Sequence, residues 1–313
     1  MDYSALPAIN YATLHQADTL RTLDSACRNW GAFQLVGHPL SQPLQTSLSE
    51  SMSSFFHLPQ ADKKQIERSE ANPWGFYDQE LTRQSPDWKE VYDYGLAEGA
   101  AMKPQWPAQV PNFKSAISSY YQACETVAFE LLTAIAGNLG APAEQMHKCF
   151  RPQHSSFVRL NYYPLCAQPA APCGDEAASE GFLGVNPHTD AGALTLLLQD
   201  QQAGLEVYRE QQWHAVAADS LVVNLGDILQ VWSNDRYRAP LHRVRANSEA
   251  ERFSAPFFFN PSYDTQYRPL PATVDHKHPA HYNAIEWGEF RRQRATGDYA
   301  NHGQEIQISQ FRI

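Results

Sequence analysis

The chain has 313 residues, enough for one large domain or two small ones, and the 43% that are hydrophobic can build a substantial core. Its 34 acidic residues outnumber its 24 basic residues, for a formal net charge of -10, and no basic stripe with interleaved aromatic residues occurs. Because a phosphate backbone is bound by clustered cations, this balance argues against nucleic acid as a partner.

The N-terminus and the cysteines indicate the compartment. The first residues lack the charged and apolar regions of a secretory signal, and no apolar run approaches the roughly 20 residues that span a bilayer. The five cysteines are scattered and form no Cys-x-x-Cys pair, which indicates neither a disulfide framework nor a zinc ribbon. We therefore expect a cytoplasmic protein with reduced thiols and no membrane partner. The absence of a heptad pattern favours a monomer.

The first half of the chain is predicted to be mainly helical. Apolar residues at helical spacing predict helices at residues 19–30, 44–56, 61–68 and 113–139. A β-prone run at residues 32–36 follows the first of them and ends at Gly37. The last helix is long, and Gly140 and Pro142 end it.

From residue 155 onward, short β-type runs alternate with turn residues. These runs cover residues 157–163, 193–198, 205–208, 220–225, 228–232 and 253–259. Their separations are too short for helical crossovers, which favours antiparallel pairing in a barrel or sandwich. Residues 168–180 predict an exposed loop, and residues 281–296 predict a terminal helix. The fold class is therefore mainly β, with flanking helices and a helical N-terminal half.

The most informative fragment is Asn186-Pro187-His188-Thr189-Asp190. On an extended strand, residues two apart point to the same side, so His188 and Asp190 present an imidazole and a carboxylate to one point. The candidate third ligand is His242, which β-type runs return to the same place. Two imidazoles and one carboxylate on one octahedral face leave three positions open, as in non-haem Fe(II) oxygenases. Because His-x-Asp alone is a common chance pattern, the interpretation depends on companion residues.

Arg252 and Ser254 are such companions. They lie two residues apart in an apolar, strand-like run and therefore share a face. A guanidinium group pairs bidentately with a carboxylate, and the hydroxyl adds a donor. An arginine inside a barrel is costly unless an anion meets it, so the pair predicts a bound carboxylic acid. The alternative is an ordinary surface arginine on a strand.

Further fragments occur in a fixed order along most of the chain. The N-terminal ones are Asn29-Trp30-Gly31-Ala32-Phe33, Phe55-Phe56-His57-Leu58-Pro59 and Asp87-Trp88-Lys89-Glu90. The C-terminal ones are Arg159-Leu160-Asn161-Tyr162-Tyr163-Pro164, His188-Thr189-Asp190, Gly204-Leu205-Glu206-Val207, Asn224-Leu225-Gly226-Asp227, His242-Arg243-Val244 and Arg252-Phe253-Ser254. With these motifs the chain resembles the isopenicillin N synthase-like branch of the Fe(II)/2-oxoglutarate-dependent dioxygenases. It departs from the commonest pattern at Ala239 and at Gly37-His38, and neither change touches a proposed ligand.

The resemblance implies a distorted double-stranded β-helix, or jelly roll, flanked by helices. In one functional unit, residues 1–154 would form the helical or mixed N-terminal region and residues 155–265 the jelly-roll core. Residues 266–313 would form a C-terminal helical segment that packs on this core.

The resemblance also implies roles for the motif residues. Fe(II) would be held by His188, Asp190 and His242. The implied 2-oxoglutarate contacts are Arg252, Ser254, Asn161 and Tyr163. The implied reaction consumes O2 and 2-oxoglutarate, releases succinate and CO2, and oxidises a small-molecule metabolite, by default through hydroxylation. Ascorbate is a possible stimulant of this reaction.

The substrate is less well defined. The candidate pocket residues are Tyr77, Arg159, Trp232, Phe258 and Asn260. Arg159 either meets an acidic group of the substrate or is a structural ion-pair partner inside the barrel. The three aromatic candidates are equally compatible with the core. A small organic acid, an amino acid derivative and an aromatic metabolite all fit.

Two alternatives to a 2-oxoglutarate-dependent enzyme stay open at this point. One is an Fe(II) oxidase of the isopenicillin N synthase type, which does not use 2-oxoglutarate, and the other is a non-catalytic jelly-roll binding protein. Three further expectations concern the surface. The pairs Lys63-Lys64 and Arg291-Arg292 are predicted to be exposed, and the histidines at 276, 278 and 281 are assigned to a solvated loop.

Overall fold

The computed structural model describes residues 6–96, 102–170, 181–299 and 306–313. The helices in these residues are α1 Ala17–Asn29, α2 Gln42–Phe56, α3 Gln60–Lys63, α4 Phe113–Asn138, α5 Ala143–His147, α6 Asp227–Trp232 and α7 Trp287–Tyr299. The strands are β1 Ala8–Asn10, β2 Ala32–Val36, β3 Gly75–Tyr77, β4 Leu81–Thr82, β5 Ser85–Pro86, β6 Glu90–Gly95, β7 Phe157–Tyr163, β8 Leu183–His188, β9 Leu194–Gln199, β10 Leu205–Arg209, β11 Gln212–Ala215, β12 Leu221–Leu225, β13 His242–Arg245, β14 Arg252–Phe259, β15 Gln266–Tyr267 and β16 Ile285–Glu286. Most of the predicted loop at 168–180 lies outside the described residues.

Two sheets enclose one cavity. The larger sheet has the strand order β1-β2-β12-β9-β14-β7-β6-β3, and the smaller has the order β11-β10-β13-β8. The pairing is antiparallel, apart from the parallel pair of β1 and β2 at one edge. This arrangement confirms the prediction of a mainly β protein with a jelly-roll core and flanking helices. The first half of the chain supplies β1, β2, β3 and β6, so strands from both halves build the larger sheet.

The long helix α4 covers the outer face of the larger sheet. Its apolar residues recur on one broad face, and those that pack inward, including Ile117, Leu131 and Ile135, are fully buried. Tyr120 adds a polar connection, since its hydroxyl donates to the carbonyl of Ala255 on β14 at 2.5 Å. The sequence prediction of one long helix over residues 113–139 is confirmed.

An aromatic cluster joins α2 and α4 to the strands of the first half. Phe55 lies at its centre, with its ring centroid 4.8 Å from that of Phe113, 5.0 Å from Phe56, 5.5 Å from Tyr92 and 6.1 Å from Phe76. The inclined ring geometries are those that aromatic quadrupoles favour. The cluster therefore holds the N-terminal helices against β3 and β6.

Three predicted elements are wrong in type or extent. The helix predicted over residues 61–68 is shorter, since α3 ends at Lys63 and only a 3-10 turn follows it at Lys64–Ile66. Residues 228–232 form most of the short helix α6 and not a strand. A short apolar run fits a strand and a buried helix equally well, and here Asp227 begins the first helical turn directly after β12. The predicted terminal helix begins at Trp287 and not at residue 281, because residues 285–286 pair with β15 first.

The cysteines and the helices bear on two further expectations. In the described residues Cys27, Cys124, Cys149 and Cys166 are free thiols, and Cys173 lies outside those residues. Burial raises the pKa of the Cys124 thiol to about 12, which disfavours the reactive thiolate. None of the helices that the structure describes combines the length and the hydropathy that crossing a membrane requires.

Replacing Phe55 by alanine is expected to lower the free energy of unfolding by about 3–5 kcal/mol, because it opens a cavity inside the aromatic cluster. The control is Phe182→Ala, whose side chain is 39% exposed and for which we expect a loss of about 1 kcal/mol or less. Urea denaturation followed by circular dichroism measures both values. Equal losses in the two variants would contradict the central role of Phe55.

Candidate metal and cofactor site

Three side chains that the sequence singled out meet at one point between the sheets. His188 ends β8, His242 begins β13, and the antiparallel register places these two residues directly opposite each other. The Nε2 atoms of both histidines lie 3.7 Å from Oδ1 of Asp190. All three potential ligand atoms lie within 4.8 Å of one another, as donors around a single metal ion do.

The two histidines are held with Nε2 free to act as a ligand. Nδ1 of His188 donates to the carbonyl of Asn186 at 2.8 Å, and Nδ1 of His242 donates to the carbonyl of Pro240 at 3.1 Å. Burial and the neighbouring His242 lower the pKa of His188 well below its usual value. The imidazole of His188 is therefore neutral near pH 7, which is the form that binds a metal.

The carboxylate of Asp190 fits a bound cation. The residue is 5% exposed, and its Oδ2 atom is buried with no hydrogen-bond partner among the residues that the structure describes. A buried carboxylate oxygen without a partner is costly, and a metal ion removes that cost. The backbone around it is tightly constrained: the amide of Asp227 donates to the carbonyl of Asp190 at 2.8 Å. A Cβ at Gly226 would lie 2.1 Å from the carbonyl oxygen of Gly192, so only glycine permits this approach.

The second cluster of charge is the guanidinium group of Arg252 on β14. The side chain is fully buried, and its hydrogen-bond partners are neutral: Oε1 of Gln199 at 2.9 Å, the carbonyl of Gln202 at 3.2 Å and Oγ of Ser254 at 3.4 Å. In the part of the chain that the structure describes, no carboxylate forms an ion pair with Arg252. A buried cation with only neutral partners indicates a site for an anion.

The neighbouring strand brings the other two predicted contacts to this place. The register of β7 and β14 pairs Asn161 with Ser254 and Tyr163 with Arg252. Nδ2 of Asn161 lies 3.4 Å from Oγ of Ser254, and the Tyr163 ring centroid lies 4.9 Å from the guanidinium carbon. Asn161, Tyr163 and Ser254 line the same cavity as the three metal-ligand candidates, with Arg252 directly behind them.

The predicted substrate residues are divided between the cavity and other places. Arg159, Phe258 and Asn260 line the cavity. The ring of Tyr77 instead lies against Arg68, whose guanidinium carbon is 4.1 Å from the ring centroid. Trp232 is buried on α6. Trp232 is therefore part of the core, and Tyr77, which is half-buried, packs on Arg68 and does not line the cavity.

Arg159 is part of a buried ion-pair network. Its guanidinium donates to Asp93 at 2.7 Å and to Glu80 at 2.9 Å, and Arg68 binds the same two carboxylates. Burial alone would raise the pKa of Glu80, but Arg159 and Arg68 outweigh it and hold that pKa well below its usual range. Of the two roles open to Arg159, the contacts favour the structural one.

The sequence did not identify the elements that close the cavity. The hairpin β4–β5 contributes Leu81 and Thr82, and α7 contributes Trp287, Arg291 and Arg294. The prediction that both Arg291 and Arg292 are exposed is wrong for Arg291, which is half-buried, and right for Arg292. The signal in the sequence was the spacing of the three cavity residues of α7, which places them on one helical face.

Lys63 was also predicted to be exposed, and this is wrong. Its side chain is 5% exposed, and its ammonium group pairs with Glu90 at 2.5 Å. The adjacent Lys64 is exposed as predicted.

Replacing Glu80 by glutamine is expected to destabilise the protein by about 3–5 kcal/mol at pH 7, because two buried guanidinium groups then share one carboxylate. The lowered pKa of Glu80 means that its contribution is complete above its usual value of 4.5 and is lost as the pH falls below it. Urea denaturation at pH 7 and pH 4 should therefore show a smaller difference between wild type and Glu80→Gln at pH 4. The exposed Glu70→Gln serves as control, and a difference that grows at low pH would contradict the assignment.

Two known protein families match the chain, one in each half. Residues 154–261 match the family described as the 2OG-Fe(II) oxygenase superfamily. Residues 6–116 match the N-terminal family described as non-haem dioxygenase in morphine synthesis.

Individual relatives extend these matches over almost the whole chain. Jasmonate-induced oxygenase 1 of Arabidopsis thaliana is 31% identical over 297 residues, which cover 91% of this chain and 71% of the relative. Gibberellin 2-beta-dioxygenase 5 of Oryza sativa subsp. japonica is 32% identical over 323 residues, which cover 100% of this chain and 89% of the relative. The crystal structure of JOX2 in complex with 2OG, Fe and JA superposes with a TM-score of 0.81 at 28% identity, covering 98% of this chain and 88% of the other.

Proposed function

Because the chain belongs to the 2OG-Fe(II) oxygenase superfamily, we propose that His188, Asp190 and His242 hold its Fe(II) and that Arg252 and Ser254 bind its 2-oxoglutarate. The protein is a 2-oxoglutarate-dependent non-haem iron dioxygenase that uses Fe(II), 2-oxoglutarate and O2. The observation that carries the residue assignment is the convergence of the three ligand atoms on one point beside a buried guanidinium group without a carboxylate partner.

The three metal ligands would occupy one side of the ion. When bound, iron and 2-oxoglutarate supply the oxidising chemistry, with succinate and CO2 as products. The hydrogen bonds from Nδ1 of His188 and His242 to backbone carbonyls hold both rings in the orientation that a metal requires. Since two imidazoles and one carboxylate fill only part of a metal's coordination shell, an ion held by these three residues would have room for further ligands.

The residues of β7 and β14 bind and orient the co-substrate. The guanidinium group of Arg252 meets the distal carboxylate of 2-oxoglutarate, and the hydroxyl of Ser254 donates to the same group. Asn161 and Tyr163 face it from the neighbouring strand. Four apolar side chains from both sheets form the remaining wall of this end and exclude water, namely Val185, Leu197, Leu205 and Val244.

The substrate is a small molecule, and we place it at the other end of the cavity. There Phe157 and Phe258 stack at 4.7 Å, and the hairpin β4–β5 and α7 close the space. Hydroxylation is the proposed outcome. Three expectations stay predictions. They are the division of one functional unit into residues 1–154, 155–265 and 266–313, the monomeric state and the lack of a nucleic-acid partner.

The alternative of an Fe(II) oxidase that does not use 2-oxoglutarate has less support. The solved structure with a TM-score of 0.81 contains both 2OG and Fe. Arg252, with no carboxylate partner in the described residues, provides a place for the distal carboxylate of that acid. Release of succinate by the purified protein in the presence of Fe(II) and 2-oxoglutarate distinguishes the two activities.

Replacing His242 by alanine is expected to abolish stoichiometric Fe(II) binding and succinate formation, since the site loses one of three ligands. Metal content after anaerobic reconstitution and desalting measures the first effect. The control is His276→Ala, an exposed histidine that should leave iron binding unchanged. Full iron occupancy in His242→Ala would refute the proposed ligand set.

Replacing Arg252 by glutamine is expected to weaken 2-oxoglutarate binding by about 100-fold or more, because the carboxylate loses a desolvated, charge-assisted partner. Ser254→Ala removes one hydroxyl donor and should weaken binding by about 10-fold. Calorimetric titration of the Mn(II)-loaded protein gives both affinities, and unchanged Mn(II) binding excludes loss of the fold. Wild-type affinity in Arg252→Gln would place the co-substrate elsewhere.

A further inference from the structure

Apart from Arg252, which is assigned to 2-oxoglutarate, the cationic side chains around the cavity pair with carboxylates in the part of the chain that the structure describes, with one exception. The paired cations are Arg68, Lys89, Arg159 and Arg294, and their carboxylate partners are Glu80, Asp87, Asp93 and Asp227. Four positive charges are thus balanced by four negative charges. Asp190 is the remaining acid of the lining, and it is committed to the proposed metal.

The exception is Arg291 on α7. Its side chain is half-buried and lines the cavity, with its guanidinium carbon 5.8 Å from the ring centroid of Phe157. No acid in residues 6–96, 102–170, 181–294 or 306–313 forms an ion pair with it. The nearby acid of the same helix, Glu289, is bound to Arg292, which points to solvent. Among the side chains that the structure describes, none therefore supplies a counter-charge to this guanidinium group at the substrate end of the cavity.

The position of Arg291 is fixed by anchors on both sides of it. Four residues earlier, the fully buried Trp287 donates from Nε1 to Oγ of Ser155 at 2.8 Å. Three residues later, Arg294 donates to the carbonyl of Thr189 at 2.7 Å, which lies between two of the metal-ligand candidates. Spacings of three and four place all three residues on one face of the helix. The helix therefore cannot turn Arg291 away from the cavity without breaking both anchors.

Arg291 lies at the opposite end of the cavity from Arg252. Phe258, which stacks on Phe157 beside Arg291, is six residues from Arg252 along β14. At about 3.3 Å per residue, these two positions are about 20 Å apart along the strand. The two arginines therefore lie toward different ends of the cavity, and a small diacid held at Arg252 leaves Arg291 for a different ligand.

We propose that Arg291 binds the carboxylate of the organic substrate, so that the enzyme oxidises small acids with an apolar body. The inference rests on the proposed iron and 2-oxoglutarate sites. A planar guanidinium group binds a carboxylate with two parallel hydrogen bonds and so fixes the orientation of the molecule that carries it. The apolar remainder packs on Phe157 and Phe258, with the metal at its side. This arrangement selects which carbon of the substrate faces the metal.

The test compares acids with their neutral amides. Phenylacetate, cinnamate and cyclohexylacetate, each with its primary amide, are titrated calorimetrically into protein loaded with Mn(II) and saturating 2-oxoglutarate. We expect at least one acid to bind about 10- to 100-fold more tightly than its amide, as for a charge-assisted hydrogen bond. In Arg291→Gln this preference should disappear, and Arg291→Lys should restore part of it. The matched control is Arg292→Gln, which removes the adjacent, 68% exposed arginine and should keep the full preference.

The outcomes separate this inference from the proposed function. The visible absorption band of an anaerobic Fe(II) and 2-oxoglutarate complex reports the proposed sites in wild type and in Arg291→Gln. If wild-type protein lacks that band, the proposed sites fail and the inference fails with them. If the band is present but acids and amides bind alike, or no acid binds, or Arg291→Gln keeps the preference, then the inference alone is overturned.

Discussion

The site depends on the register between β8 and β13. Antiparallel pairing places His188 opposite His242, and Asp190 follows two residues after the first of them. Because side chains alternate across a strand, a slip of one residue would turn one histidine to the other face of the sheet. The register is irregular directly after the histidine pair, between His242 and Val244. Such irregularities redirect side chains next to active sites, and here the pairing ends with both rings directed at Asp190.

Charge within the cavity separates the arginines by function. Arg68 and Arg159 are bound to Glu80 and Asp93, so that their charges hold the β3–β4 segment against β6 and β7. Arg252 is more deeply buried than either, yet its partners are neutral. Desolvation of a cation is tolerated in a folded protein when a counter-charge compensates it, whether that charge is part of the chain or arrives with a ligand. The presence or absence of a carboxylate partner therefore distinguishes structural arginines from arginines that bind an anionic ligand.

The sequence predicted those parts of the site that depend on local periodicity. His188 with Asp190, and Arg252 with Ser254, are pairs two residues apart on extended chain, and both pairs face the cavity region as expected. The long helix α4 followed equally from apolar spacing. Pairings between distant residues could not be predicted this way. Arg159 was left between two roles because its partner Glu80 lies 79 residues away, on a segment with no strong periodic pattern.

Short elements were the other source of error. The run that forms α6 has apolar residues at almost every position, so neither a period of two nor a period of 3.6 stands out. The turn after β12 determines that this run is a helix, because there the amide of Asp227 donates a hydrogen bond to the carbonyl of Asp190. Arg291 was assigned to the surface because it stands beside Arg292. Adjacent residues on a helix point about 100° apart, so one of such a pair can face solvent and the other the interior.

The proposed metal and 2-oxoglutarate sites lie on the sheets, whereas the substrate end of the cavity is built by peripheral elements. This difference affects substrate specificity. The proposed metal ligands and 2-oxoglutarate contacts lie on or beside paired strands of the two sheets, where backbone hydrogen bonds on both sides fix side-chain positions. The substrate end is closed by the β4–β5 hairpin and by α7, which are not strands of either sheet. Substitutions of side chains in these peripheral elements that make no contact with the ligand segment, such as Arg291, alter the pocket without disturbing the strand register that positions the metal ligands. The same scaffold can therefore keep one oxidative chemistry while a few side chains, Arg291 among them, determine which molecule it meets.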